Sequence, residues 1–207
     1  MSQGRAPSLP DHKRWIAFLK FMAVFYVFFF PFYFGAGHMA TLGRETLGLY
    51  WEWERNIPIV PWMIWPYLTL FSLFLLPLFH MNVNQIAVLS RQSSATLVIA
   101  GICFLCFPSH PGFAPVVVDG WQQPVFHILA MVDTPYNLAP SLHVVFSALI
   151  LLGCAEQAPT PWAWGYRFWL VLMSVSTVLV HQHHIVDVMS GLLLAWMARR
   201  LFKLASA

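Results

Sequence analysis

The sequence predicts an all-α polytopic membrane protein with six transmembrane helices in one bundle, and three observations predict it. Hydrophobic residues make up 59% of the 207-residue chain and charged residues only 9%, against the roughly 25% that lets a soluble domain face water. The apolar residues gather into runs near the ~20 that a helix needs to cross a hydrocarbon core. The basic residues divide between alternate loops, as an even number of spans requires.

The first run, residues 15–35, exceeds a signal-peptide core and is followed by no small-residue cleavage site, so it reads as a retained anchor. Lys20 lies near its inner end, where its stem can reach the interface. The second run is 57–79 and the third 92–111. A longer irregular segment separates these from a short fourth run, 140–156, whose inclusion rests partly on the motif it carries. The fifth is 162–180 and the sixth 184–204. No repeat, low-complexity tract or long linker interrupts them, so residues 1–207 form a single membrane-embedded domain, with a catalytic half at about 108–191.

Short loops rich in Lys and Arg stay in the cytoplasm. With the amino terminus inside, Arg5, Lys13, Arg14, Lys20, Arg91, Arg167, Arg199, Arg200 and Lys203 are cytoplasmic, and of the 11 basic residues only Arg44 and Arg55 lie outside. The expectation is a multi-pass cell-membrane protein with both termini cytoplasmic. Tyr50, Trp51, Trp53, Trp62, Trp65, Trp162 and Trp164 fall near predicted span ends, as an interfacial aromatic belt does. The low charge excludes disorder, and without a run of like charges a nucleic-acid partner is not expected. Cys103, Cys106 and Cys154 lie in apolar runs and read as packing residues.

Ionisable groups at the edge of a membrane helix are costly and mark functional sites. Two places concentrate them: Pro140-Ser141-Leu142-His143 at the start of the fourth run, and His181-Gln182-His183-His184-Ile185-Val186-Asp187 between the fifth and sixth. The orientation above brings both to the extracytoplasmic membrane face. His183 and Asp187 are spaced i, i+4, one face of a helix. A carboxylate so placed fixes the imidazole tautomer and leaves the other ring nitrogen as a nucleophile. His143 supplies a second imidazole able to protonate a leaving group. Ser141 and the amides opening the fourth helix form an anion site. A histidine nucleophile, a histidine acid and an anion cradle describe phosphoryl transfer with no obligatory metal and no cofactor. Asp187 has a plainer alternative, capping a helix start.

These motifs resemble those of the type 2 phosphatidic acid phosphatase superfamily, which carries Lys-x6-Arg-Pro, then Pro-Ser-Gly-His, then Ser-Arg-x5-His-x3-Asp. Here Pro140 to His143 stand for the second motif, and Ser176-Thr177, His183 and Asp187 for the third. The resemblance implies that His183 attacks phosphorus, Asp187 orients it, His143 protonates the departing oxygen and Ser141 holds the phosphate. Leu142 replaces the usual Gly, Thr177 replaces the third-motif Arg, and the first motif is missing, with Phe107-Pro108-Ser109-His110-Pro111 where it should end. The Pro-Ser-Leu-His variant is similar to the branch containing inositol phosphorylceramide synthases and related bacterial phosphatases. By position, Arg44, Arg55, His110, His181, Gln182, His184, Tyr136 and Asn137 are candidates to replace the lost cations. Of these, Tyr136, Asn137 and His184 join Ser141 as the expected substrate-binding residues.

Asp133 to Asn137 reads as a turn, in which Tyr136 and Asn137 either end the loop or donate to the phosphate. Glu45, Glu52 and Glu54 read as solvated loop charges, and His12, His38, His80 and His127 as ordinary satisfied histidines. The expected activity is removal of phosphate from a lipid. The alternative keeps the chemistry and passes the group to a sphingolipid or diacylglycerol acceptor. A cytochrome using paired histidines is a third reading, disfavoured because paired axial ligands belong inside spans and these histidines lie mostly at their ends.

Overall fold

In a computed structural model that describes residues 7–203, the apolar runs are α-helices and no strand occurs among the described residues. Arg5 and Leu204, placed above at the two ends of the chain, lie outside the described residues. Helix α1, His12–Thr41, starts where the Asp11 carboxylate accepts the Arg14 amide at 2.8 Å, a side-chain cap of the usual kind. It passes through a π-helical stretch, Phe30–Gly35, at Pro31, whose missing N–H cannot continue the regular ladder.

The second expected span is broken into α2 (Ile64–Leu68), α3 (Leu70–Leu73) and α4 (Leu76–His80). It starts later than residue 57 because Pro58 and Pro61 hold the chain extended or in a single 3-10 turn, Pro61–Met63. Pro77 then interrupts the rod, since its ring clashes with the carbonyl four residues back. Helix α5, Val83–Cys106, starts nine residues before the expected position. Asn82 and Gln85 form a reciprocal cap there, with bonds of 3.0 and 2.9 Å, so the polar run at 90–94 is helix rather than loop.

The irregular segment holds a helix that the sequence did not announce, α6 (Gln123–Val132). Its first turn contains Pro124, well suited to that place. Helices α7 (Leu142–Gln157), α8 (Thr160–Leu179) and α9 (Ile185–Leu201) follow within a few residues of expectation.

Helix α7 is the centre. Every residue from Val144 to Leu151 is buried, and the rod packs against α4, α5, α8 and α9. The surrounding helices turn apolar side chains outward: Phe71 is 70% exposed, Phe168 66% and Val171 62%. An apolar exterior of this extent marks a surface that meets something other than water. By length and composition, α1 and α5 can each cross a membrane.

One end of the assembly gathers the first and last described residues and short turns. The Ser8 amide donates to the Phe79 carbonyl at 3.1 Å, Arg199 pairs with Glu156, and Tyr166 bonds His80 at 2.7 Å. The other end carries the long loops and both histidine clusters.

Candidate functional site

The start of α7 is fixed twice. Ser141 caps it, its hydroxyl oxygen accepting the Val144 amide at 3.4 Å, while its own amide donates to the Asp187 carbonyl at 3.0 Å. Close approach needs Gly191, where a Cβ would stand 2.8 Å from the Ser141 carbonyl oxygen. Only a residue without a side chain lets α9 lie so near α7.

At the end of α8 the Thr177 carbonyl accepts two amides, from Gln182 at 3.1 Å and His183 at 3.0 Å. This double acceptor, with His181 in the left-handed region at φ 59°, reverses the chain in a few residues and points His183 inward. The five-residue spacing between Thr177 and His183 is therefore the length of one tight turn.

His183 Nδ1 lies 3.4 Å from Asp187 Oδ2, with both side chains buried. The ring is not aligned for a hydrogen bond, and Oδ2 accepts the His184 amide at 2.7 Å. The His143 ring is 6.1 Å from that of His183, tilted by 57°, and its Nε2 is buried without a partner among the described residues. On its other side the Tyr67 ring stacks on His143 at 4.2 Å, and the Tyr67 hydroxyl lies 3.4 Å from Nδ1. The two motifs, 40 residues apart, thus bring two imidazoles to one place.

A second tier holds the turn. Glu54 is completely buried, which corrects its reading as a solvated charge. Its carboxylate accepts the Trp51 amide at 3.0 Å, the Ile185 amide at 2.9 Å and His184 Nδ1 at 3.2 Å. The Gly112 amide donates to His184 Nε2 at 2.9 Å. An N–H aimed at Nε2 and a carboxylate on Nδ1 fix the neutral Nδ1–H tautomer. The ring is sandwiched between Tyr50 at 4.8 Å and Phe113 at 4.2 Å. Burial pushes the His184 imidazole below the ordinary histidine range, with Glu54 and Asp187 pulling the other way. His181 is also lowered by burial, although its bond to the Ile57 carbonyl opposes this. Both nitrogens of His184 serve the fold, so the structure engages this expected substrate ligand internally.

A cavity of about 580 Å³ opens beside His183. Its polar wall includes His181, Gln182, Asn137, Asp133 and His127, and its apolar wall includes Phe113 and Phe126. Asn137 Nδ2 donates to the Tyr33 carbonyl at 2.6 Å, whereas Tyr136 is not in the lining and its carbonyl accepts the Ser109 amide at 3.1 Å. Among the described residues no Lys or Arg lines this cavity. Arg44 reaches the Leu105 carbonyl, Arg55 pairs with Glu52 at 3.0 Å, and His110 bonds Thr46 at 3.0 Å. None of these three fills the missing cation's place.

Sequence reasoning overlooked Tyr67 and Phe113, and it read Asp133 as part of a turn, Glu54 as a solvated charge and Tyr50 as a belt residue. Tyr67 did carry a signal, since a tyrosine inside a span rather than at its rim needs a buried partner for its hydroxyl. Searches of curated proteins and of solved structures return no match. A family model described as PAP2 superfamily matches residues 53–201, nearly three quarters of the chain and both histidine motifs, and the chain belongs to that superfamily.

Proposed function

We propose that this protein is an integral membrane enzyme that removes phosphate from a lipid at the extracytoplasmic membrane face, through a phosphohistidine at His183. The observation that carries the reading is the approach of two imidazoles, 6.1 Å apart, beside a cavity that His183 lines. His183 Nε2 attacks phosphorus, the bond from phosphorus to the lipid oxygen breaks, and the Nε2 proton of a charged His143 passes to that oxygen. Neutral His143 then takes a proton from water as the water oxygen displaces His183 and releases phosphate. Asp187 orients His183. The first amides of α7, those of Leu142 and His143, have no acceptor within the helix and face the anion, while Ser141 supports them as the cap.

In this reading α1, the broken rod α2 to α4, α5, α7, α8 and α9 are the six spans. The gathering of Ser8 and Arg199 opposite the histidines supports cytoplasmic termini, as does the cluster of Lys and Arg there. A lipid phosphate suits the depth, because its tail stays among the apolar helices while its headgroup meets His183.

Headgroup transfer is a second reading, favoured by the absence of Lys and Arg from the described cavity lining. A phosphate monoester carries a charge of about −1.5 to −2 near neutrality, which this cavity does little to offset, and a diester carries less. The test is release of inorganic phosphate from phosphatidic acid or a polyprenyl phosphate by the detergent-solubilised protein. Wild type should release it and His183→Ala should not. Equal release by both would overturn the catalytic assignment. A phospholipid donor with labelled ceramide or diacylglycerol separates transfer, which yields a new lipid without free phosphate.

A further inference from the structure

One residue of α1 seats the segment 133–137 against the helix. The Tyr33 hydroxyl donates to Asp133 Oδ1, and the Tyr33 carbonyl accepts from Asn137 Nδ2 at 2.6 Å. Gly37 permits the fit, since a Cβ there would stand 2.7 Å from Thr134 Cγ2 and 2.9 Å from its Cβ. These bonds leave acceptors over. The Thr134 amide joins the Tyr33 hydroxyl on Asp133 Oδ1, at 2.8 Å, so both of the hydrogen bonds to this carboxylate fall on one oxygen. Asn137 is 4% exposed, and its Oδ1 is buried with no hydrogen-bond partner among the described residues. His181 Nε2 meets the Ile57 carbonyl at 2.9 Å; a neutral ring that donates through Nε2 accepts through Nδ1.

Asp133, Asn137 and His181 line the same cavity as His183, and among the described residues no Lys or Arg joins them. A buried acceptor without a partner is costly. A wall of one carboxylate and two neutral acceptors therefore suits a ligand that brings hydrogen-bond donors and positive charge.

We infer that this wall binds the primary ammonium of an ethanolamine-type headgroup, making a zwitterionic phosphodiester lipid the preferred donor at His183. The inference deepens the headgroup-transfer reading and rests on His183 as the nucleophile. A primary ammonium carries three N–H donors, which Asp133, Asn137 and His181 can receive. A quaternary ammonium has the charge without the N–H groups, and a polyol has donors without the charge. In the reaction His183 Nε2 bonds to phosphorus, the bond from phosphorus to the diacylglycerol oxygen breaks, and that oxygen takes the His143 proton. The ammonium keeps phosphoethanolamine in the cavity while diacylglycerol departs. The oxygen of an acceptor alcohol, or of water, then bonds to phosphorus as the bond to Nε2 breaks, and its proton passes to His143.

The test measures diacylglycerol release by the detergent-solubilised protein, with ceramide present as acceptor, in wild type, Asp133→Asn and His183→Ala. The substrates are phosphatidylethanolamine, phosphatidylcholine, phosphatidylglycerol and phosphatidic acid in matched micelles. For wild type, kcat/KM on phosphatidylethanolamine should exceed that on the other two diesters about tenfold or more, as a charge-assisted hydrogen bond allows. Asp133→Asn keeps an acceptor oxygen for Tyr33 and Thr134 and should bring the three diesters close to parity. Parity among the diesters in wild type, a preference for the choline or glycerol headgroup, or an ethanolamine preference unmoved in folded Asp133→Asn would overturn the inference. If Asp133→Asn does not fold, the wild-type order alone decides. His183-dependent release from phosphatidic acid alone would overturn the inference and leave the phosphatase reading standing. Release unchanged in His183→Ala would instead remove the phosphohistidine reading beneath it.

Discussion

The Ser141 amide donates to the Asp187 carbonyl at 3.0 Å, so the residue that opens α7 and the carboxylate residue of α9 are joined main chain to main chain. The two motifs are held by backbone as well as by their side chains. The approach depends on Gly191, and Gly191→Ala should cost about 1–3 kcal/mol of stability by overpacking and lower activity further by parting the rings. Gly165→Ala, with nothing within 4 Å of the added carbon, is the matched control. It should be neutral or slightly stabilising, as alanine replaces glycine inside a helix. Thermal unfolding and turnover of both variants check the contrast.

Asp187→Asn should separate orientation from capping. The amide oxygen still accepts the His184 N–H now held at 2.7 Å, so the melting temperature should move little. Loss of the charge facing His183 should lower kcat by about a hundredfold or more, in the manner of an orienting carboxylate. A variant with normal turnover would remove Asp187 from the mechanism.

Glu54→Ala should destabilise by roughly 3 kcal/mol or more, because it strands two backbone amides and one imidazole N–H in a buried place. Glu54→Gln keeps one acceptor oxygen and should fall between that variant and wild type. Denaturant unfolding in detergent measures both, and a change within error for Glu54→Ala would contradict the burial seen here.

The His184 clamp gives a pH dependence with a definite sign. Burial lowers its affinity for a proton in the fold, so the unfolded chain protonates first as pH falls below the ordinary histidine value near 6.5. The neutral ring's contribution is whole above that value and shrinks below it, as charged Nε2 turns against the Gly112 amide. The melting temperature should therefore fall between about pH 7 and 5, and His184→Gln should reduce that slope. A slope unchanged by the substitution would assign the acid sensitivity to other groups.

Hydropathy made the helical class and most rods legible because span length is a property of local composition. It misjudged ends where caps and prolines decide: Asn82 starts α5 inside a polar run, and Pro58 and Pro61 delay α2. Helix α6 escaped because ten residues are too few for a span, and the segment holding it was left as irregular. His143, His183 and Asp187 were legible because each lies within a short pattern of fixed spacing. Tyr67, Asp133 and Glu54 were not. Tyr67 meets His143 across a sequence separation of 76 residues, Glu54 meets His184 across 130 and Asp133 meets Tyr33 across 100, and no local spacing encodes such meetings.

Because α7 is buried throughout Val144–Leu151, a lipid bound as proposed would lay its tail elsewhere than along the helix that carries His143. Its contacts would fall to outward apolar residues such as Val27 of α1, Phe71 of α3, Ile102 of α5, Phe168 of α8 and Leu193 of α9, which make none of the bonds that hold the histidines. Tail-length preference is therefore free to drift with the periphery while bond cleavage stays constant. Chimaeras that exchange those outer surfaces among relatives would alter which chain lengths are accepted without slowing the chemistry.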